Sequence, residues 1–326
     1  MGDRLDEYRR KRDASRTPEP VPDGPLPRGR DDTFVIQQHH ARRLHWDLRL
    51  ERGGVLVSWA VPRGLPRDPK TNHLAVHTED HPLEYANFAG VIPAGEYGGG
   101  RMLIYDRGTY TTEKWRDDEV IVVFDGARTK GRYVLFQTRG KDWMVHRMDP
   151  PDPSWTPMPD QLRPMLPEPA TRLPRPESAW GFEMRWPGVR ALAQVSGGRL
   201  RLFSAGGADF TDDHPRIKPL GEELAPAEVV LDGHVTPLGG GAVYLVFDVL
   251  WLDGRLTIEL PYRDRRELLE SLAIAGPHWQ TPPYFPGAGR DALTASRDQG
   301  LPGVVAKRLD SPYRPGERSR DWRKLS

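Results

Sequence analysis

The first half of this 326-residue chain is predicted to be mainly β, an antiparallel sheet closed into a barrel, with a second domain behind it. Three observations predict this. Apolar residues recur in short alternating runs with a period of two, the signature of strands with one buried face. Glycine and proline, 33 of each, punctuate those runs and call for many strands and many turns. Ten prolines between Asp149 and Pro176 divide the chain after the last alternating run. A length of 326 residues suits about two domains.

Residues 1–30 form an arm. Leu5 to Asp13 has the pattern for two helical turns, and Pro18, Pro20, Pro22, Pro25 and Pro27 forbid any continuation. Taken alone, its charge reads as a solvated basic tail. Residues 31–148 hold eight candidate strands, at 33–37, 44–50, 55–61, 73–77, 101–105, 119–124, 132–137 and 142–146. Turns are marked by Gly53-Gly54, Asp125-Gly126 and Arg139-Gly140. Closure suits this count because it removes exposed edges. Residues 149–164 read as an extended proline-rich linker, and 165–326 as the second domain.

Composition excludes several classes. With no cysteine there is no disulfide, thiolate zinc site or thiol nucleophile, which fits a reducing cytoplasm. The start is densely charged, unlike a signal peptide. The longest apolar run, Val243 to Leu252, is interrupted by Asp248 and too short to span a bilayer, so no membrane partner is expected. Net charge is +1, so any contact with nucleic acid must come from local patches.

The richest stretch is Gln37 to Leu50. Leu44, Trp46, Leu48 and Leu50 fall on one strand face; His45, Asp47 and Arg49 fall on the other. Imidazole and carboxylate suit a borderline divalent metal, and guanidinium suits a phosphate. A straight strand would place His39 roughly 20 Å from His45, so His39 joins them only if the chain bends at Ala41-Arg42-Arg43. The spacing itself leaves two readings open, a metal site or a solvated polar face. His73 and His77, four apart, share a strand face and read as surface polarity or partly buried rings. Gly95, Gly98, Gly99 and Gly100 form a flexible loop, but no Gly-Lys-Ser/Thr follows to make it a P-loop.

His39, His45, Asp47 and Arg49 reproduce an H-x5-H-x-D-x-R pattern, set between Phe34-Val35-Ile36-Gln37 and Ser58-Trp59-Ala60-Val61-Pro62. Glu79-Asp80-His81-Pro82-Leu83-Glu84-Tyr85, Gly90-Val91-Ile92-Pro93 and Gly95-Glu96-Tyr97-Gly98 follow. Over residues 5–148 the chain resembles the 3′-phosphoesterase domain of bacterial DNA ligase D. The resemblance implies a manganese site, open to other divalent metals, at His39, His45 and Asp47. It implies a phosphate clamp at Arg49, proton transfer or phosphate contact at His81, and leader residues Arg12, Asp13 and Glu19 folded back to orient the metal shell. Ser58, Arg63, His73 and Tyr85 are the implied substrate contacts. Ala14 and His73 depart from the family pattern, which has Phe and Arg there; an imidazole at 73 holds phosphate more weakly than a guanidinium.

Val246-Phe247-Asp248-Val249-Leu250-Trp251-Leu252-Asp253-Gly254, Pro261 to Arg266, and Gly303 to Lys324 resemble the nucleotidyltransferase domain of ATP-dependent DNA ligases. That likeness implies an α+β fold with antiparallel sheets around a nucleotide cleft, retaining Lys307 and Lys324. The family's K-x-D-G-x-R appears as Arg185-Trp186-Pro187-Gly188-Val189-Arg190. Arg185 replaces the nucleophilic lysine and cannot lose its proton, so no adenylation by ATP is expected. Pro187, His234 and Pro302 stand where acidic residues are expected, and the sequence ends at Ser326 without an oligonucleotide-binding barrel. From Lys307 to Lys324 seven basic and three acidic residues form either a solvated loop or a remnant DNA-contact surface.

Together these resemblances imply a metal-dependent enzyme that removes 3′-phosphates and 3′-terminal ribonucleotides in double-strand-break repair, joined to an inactive ligase-like domain. The implied partners are DNA or RNA-containing primer-template 3′ ends, and end-joining proteins such as Ku or a separate ligase, in a bacterial cytoplasm at the nucleoid. Two other readings use the same residues. One is a non-catalytic DNA-end adaptor. The other is a non-haem iron oxygenase, which the His-x-Asp pair on a β-barrel also suits.

Overall fold

The computed structural model describes residues 3–326, so Met1 and Gly2 of the expected arm lie outside the described residues. The chain divides into two compact units, Met1–Pro153 and Ser154–Ser326. In the first, ten strands run β1 (Thr33–His40), β2 (Leu44–Arg52), β3 (Val55–Val61), β4 (His73–His77), β5 (His81–Pro82), β6 (Gly90–Ile92), β7 (Gly100–Trp115), β8 (Glu119–Gly126), β9 (Lys130–Arg139) and β10 (Asp142–Arg147). Eight of them pair in the cycle β1-β2-β3-β4-β10-β9-β8-β7-β1, a closed antiparallel barrel. They are the eight strands expected from sequence; the short β5 and β6 pair outside the cycle with β3 and β7. Closure rests on the length of β7, which pairs with β1 through one half and with β8 through the other. Bulges at Ile36/Gln37 and Thr112/Lys114 bend the strands to allow it.

Gly53 and Gly54 adopt φ of 60° and 81°, the two positive values that a tight β-hairpin turn requires. The expected turn at Asp125-Gly126 lies one step later. Gly126 ends β8, and the buried Asp106 carboxylate accepts the backbone N–H groups of Ala127, Arg128 and Thr129. One face of the strands makes the apolar core, with Phe34, Leu48, Leu50, Trp59, Val122 and Tyr133 nearly inaccessible to solvent. The opposite face of β1 and β2 carries Gln37, His39, Asp47 and Arg49.

The arm packs on the barrel. Its helix, Asp6–Arg10, is shorter than the predicted two turns, and Leu5 and Tyr8 are buried in the barrel's apolar cluster. Two buried apolar side chains hold in place a segment whose charge alone suggests a free tail.

In the second unit, one antiparallel core sheet joins Val304–Arg308 to Trp180–Met184 and Arg318–Leu325. A second sheet joins Val189–Ser196, Val229–Leu238 and Gly241–Leu252. Helices Tyr262–Ser271 and Gly289–Asp298 complete the α+β fold. The apolar run is the strand Gly241–Leu252, whose buried Asp248 forms two hydrogen bonds with the equally buried Arg265, at 2.8 and 3.0 Å. The stretch expected to be a linker is mostly part of this unit. Thr156 exchanges backbone and side-chain hydrogen bonds with Gly254 and Trp251, and Met158 and Leu162 pack against the cluster around Trp251. Proline fixes an extended backbone without keeping it free in solvent.

Removing one member of a buried ion pair strands the other charge. Asp248→Ala is expected to destabilise the second unit by about 3–5 kcal/mol. Urea unfolding of the full chain measures it, and a loss below about 1 kcal/mol would show that Arg265 finds another partner.

Candidate active site

The bend that His39 needs is the β1–β2 hairpin. The chain reverses at Ala41–Arg43, and the register sets His39 opposite His45 and Gln37 opposite Asp47. His39 Nδ1 lies 3.2 Å from His45 Nε2; Asp47 oxygens lie 3.7 Å from the first and 3.6 Å from the second. The remaining ring nitrogens show where the protons are. His39 Nε2 lies 2.8 Å from the Gly98 carbonyl and His45 Nδ1 3.0 Å from the Arg43 carbonyl. A carbonyl only accepts, so each of these nitrogens carries a hydrogen, and in the neutral ring the inward nitrogen keeps its lone pair. Burial holds the His39 pKa below its ordinary 6.5, which disfavours a further proton. Two lone pairs and a carboxylate converge, a donor set that suits a borderline divalent cation.

Next to this cluster the same strand face becomes an anion receptor. Arg49, 2 % exposed, donates from Nε to Gln37 Oε1 at 2.7 Å, from Nη1 to Ser58 Oγ at 2.9 Å and from Nη2 to Asp47 Oδ2 at 3.1 Å. Its guanidinium lies over the Tyr85 ring. Gln37 in turn donates to the Tyr85 and Phe88 carbonyls, tying the receptor to the turn at Leu83–Asn87. His81 donates from Nδ1 to the Glu79 carbonyl at 2.8 Å, so its Nε2 is the acceptor and faces Arg12 Nη2 at 3.4 Å. Burial, with Arg49 and Arg12 nearby, pushes its pKa well below 6.5 and keeps the ring neutral.

The arm covers this receptor. Arg12 stacks on the Tyr8 ring at 3.8 Å and donates to Glu19 at 2.9 Å and Glu79 at 3.2 Å. Glu19 also accepts from Tyr85 at 2.8 Å and from Thr17 at 2.6 Å. At the loop before β7, Arg16 pairs with Glu96, and Lys11 meets the Tyr97 ring.

Arg12, Glu19, Ser58, His81 and Tyr85 thus gather around Arg49, beside the His39–His45–Asp47 cluster. Three residues do not join them. Asp13 is exposed, and its carboxylate accepts from Ser15 N and Oγ in a local turn. His73 belongs to the core-side face: His77, four residues on, is paired with the buried Trp59, and His73 Nδ1 donates to the Gly64 carbonyl. Arg63 is exposed just beyond Val61, at the barrel end where His45 sits. A cleft of about 980 Å³ opens beside His45, lined among others by Arg42, Arg43, Tyr97 and Arg101.

In the second unit, Arg185, His234, Lys307 and Lys324 line one pocket of about 190 Å³ with Trp186, Phe247 and Trp322. Lys307 is buried, 2.7 Å from Glu183 and 4.3 Å above the Trp322 ring. Arg185 Nη1 donates to the Pro302 carbonyl at 3.3 Å, and burial lowers the pKa of His234 to about 4. Pro187 is exposed at the neighbouring turn.

Residues 37–137 match the model of the DNA ligase D 3′-phosphoesterase domain. The barrel belongs to that family. Residues 240–325 match the ATP-dependent DNA ligase domain. The chain is 47% identical, over 99% of its length, to the multifunctional non-homologous end joining protein LigD of Mycobacterium bovis. It is 32% identical over 98% to the LigD of Pseudomonas aeruginosa. It spans 45% and 47% of these two relatives, about half their length. Among solved structures, mycobacterial DNA ligase D complexed with ATP and MES aligns with 51% of this chain and 60% of its own, at 38% identity and a TM-score of 0.47. No helix among the described residues is long and apolar enough to cross a membrane.

Several residues of the phosphoesterase barrel's site escaped sequence reasoning. Gln37 was legible, since it shares strand parity with His39. Tyr8, Glu79 and the Gly98 carbonyl carried no local signal for their roles. A buried neutral imidazole that would take up a proton on unfolding removes stability as pH falls below the unfolded value of 6.5. His77, also lowered by burial, acts in the same direction. The unfolding free energy is therefore expected to fall between about pH 7 and pH 5, by at most about 1.4 kcal/mol per pH unit for each such histidine, and the thermal midpoint measured across that range should fall with it. His81→Asn should flatten part of that fall; an identical pH profile in the variant would remove His81 from the account.

Proposed function

We propose that the barrel is a metal-dependent 3′-end-processing phosphoesterase, removing 3′-phosphates and 3′-terminal ribonucleotides from DNA ends during end joining. The observation that carries the reading is the adjacency of a convergent metal-donor set and a buried guanidinium held by Asp47 itself. His39, His45 and Asp47 would hold Mn²⁺ or a similar ion; when bound, such an ion polarises a phosphate oxygen and lowers the pKa of water. Arg49 neutralises phosphate charge from a position set by Gln37 and Ser58, so little reorganisation is needed as charge develops. His81 offers Nε2 as an acceptor, suited to taking a proton or hydrogen bond rather than bringing positive charge. Glu19 and Glu79 hold Arg12 over the same pocket and shut out water. A guanidinium clamps a carboxylate as readily as a phosphate, so what favours phosphate chemistry over the oxygenase reading is the match of residues 37–137 to the 3′-phosphoesterase domain.

The second unit, in this reading, does not ligate. Arg185 stands where the ligase pattern has the lysine that attacks ATP, and a guanidinium does not serve as that nucleophile. The second unit then serves as a docking platform or DNA-contact surface beside end-joining partners such as Ku or a separate ligase.

The direct test is a 3′-phosphate primer-template incubated with the protein and Mn²⁺, the product resolved on a gel. Conversion to a 3′-hydroxyl is expected, and His45→Ala or Asp47→Ala should lower it by roughly two orders of magnitude or more. An active His45→Ala protein would sink the metal assignment. Glu19→Gln loosens Arg12 and Tyr85 without touching the donors, and should lower turnover about tenfold. Radiolabelled ATP should leave no denaturation-resistant labelled band; such a band would show that another residue accepts AMP.

A further inference from the structure

The closed barrel is electrically polarised along its axis. Because neighbouring strands are antiparallel, their connections alternate between two ends. The connections at the His45 end are 41–43, 62–72, 93–99 and 127–129; those at the other end are 53–54, 78–80, 116–118 and 140–141. The first set holds six basic residues, among them Arg42, Arg43, Arg63 and Lys70, against two acidic ones. One of these acids, Glu96, is already paired with Arg16. The second set holds two basic and four acidic residues, and of those acids Asp80 is paired with Arg4 and Glu79 with Lys11 and Arg12 of the arm, so this end is close to neutral while the first stays cationic. Arg42, Arg43, Arg63 and Lys70 are exposed. A net charge of +1 for the whole chain hides this asymmetry.

We propose that the cationic end of the barrel is a docking platform for duplex nucleic acid, gripping both phosphate backbones so that a 3′ terminus meets the His39–His45–Asp47 cluster. The proposal deepens the end-processing reading and rests on it for the identity of the polyanion. Spacing favours a duplex over a single strand. The basic connections 41–43, 62–72 and 127–129 lie between different strand pairs around the ring. Eight tilted strands about 4.8 Å apart make a ring roughly 12–16 Å across. That is the scale of a major groove, roughly 12 Å, and too wide for one backbone to bridge. The cleft beside His45 opens at the same end, so a terminus held by the rim has a path to the donors.

The test is equilibrium binding of the 326-residue chain to a blunt 3′-hydroxyl DNA duplex in chelator, across a salt series, with no turnover involved. Each lost phosphate contact flattens the log–log salt dependence by about 0.9. The double variant Arg42→Glu/Lys70→Glu should bind at least about tenfold more weakly at low salt, with a slope shallower by about two. Lys141→Glu, at the opposite end, should match the unmodified protein, and circular dichroism should show all three folded. An unchanged slope in the double variant would overturn the platform. So would an equal loss of affinity for the corresponding single strand, which would mean that only one backbone is held. Absence of phosphate release under Mn²⁺ would instead remove the phosphoesterase reading, while the binding result would stand.

Discussion

The register of the β1–β2 hairpin is the constraint on which the rest depends. His39 faces His45 because the chain turns over three residues, Ala41–Arg43. A slip of one residue would send the polar set into the barrel core and the leucines out. Both faces of β2 are buried around Asp47 to Glu51, so a slip would strand charge in an apolar interior. The core therefore enforces the geometry of the polar cluster. Backbone carbonyls of Gly98 and Arg43 finish the task by fixing the imidazole tautomers.

Around that hairpin the charges are buried in an alternating chain. Asp47 meets Arg49, and Arg12 meets Glu19 and Glu79. Desolvating so many ionised groups is expensive unless each is paired and hydrogen-bonded, and here each one is. The arm provides two of these five groups, Arg12 and Glu19. It climbs one side of the barrel from Arg4, paired with Asp80, to Arg16, paired with Glu96, and returns to Gly29 and Arg30 beside Glu51. Leu5 and Tyr8 anchor it in apolar contact, which leaves Arg12 and Glu19 little freedom to lose when substrate arrives.

The second unit uses the same physics for a different end. Asp248–Arg265 and Arg190–Asp232 are ion pairs packed into or beside a fold's interior, and Lys307 sits among aromatic rings with Glu183 as counter-ion. The pocket beside them is lined by Arg185, which donates to the Pro302 carbonyl, together with Lys307 and Lys324, so cations gather on one wall.

The sequence by itself determined the strands, because a period of two is local: each residue's face follows from its neighbours. All eight barrel strands were legible this way, as was the shared face of His45, Asp47 and Arg49. Resemblance added Ser58, His81 and Tyr85, whose spacing carries no such signal. Tertiary structure decided what depends on partners remote in the chain. Resemblance implied that the arm folds back on the barrel, and only packing reveals that Leu5 and Tyr8 are what anchor it. Tertiary structure moved His73 to the core side, since that follows from β4 pairing with β3. It left Asp13 in a local turn, where a short carboxylate reaches Ser15 first. It joined residues 154–164 to the second unit, because proline stiffness says nothing about what a segment packs against. Faces are written in the local period; registers, tautomers and ion-pair partners are set by contacts that only the folded chain makes.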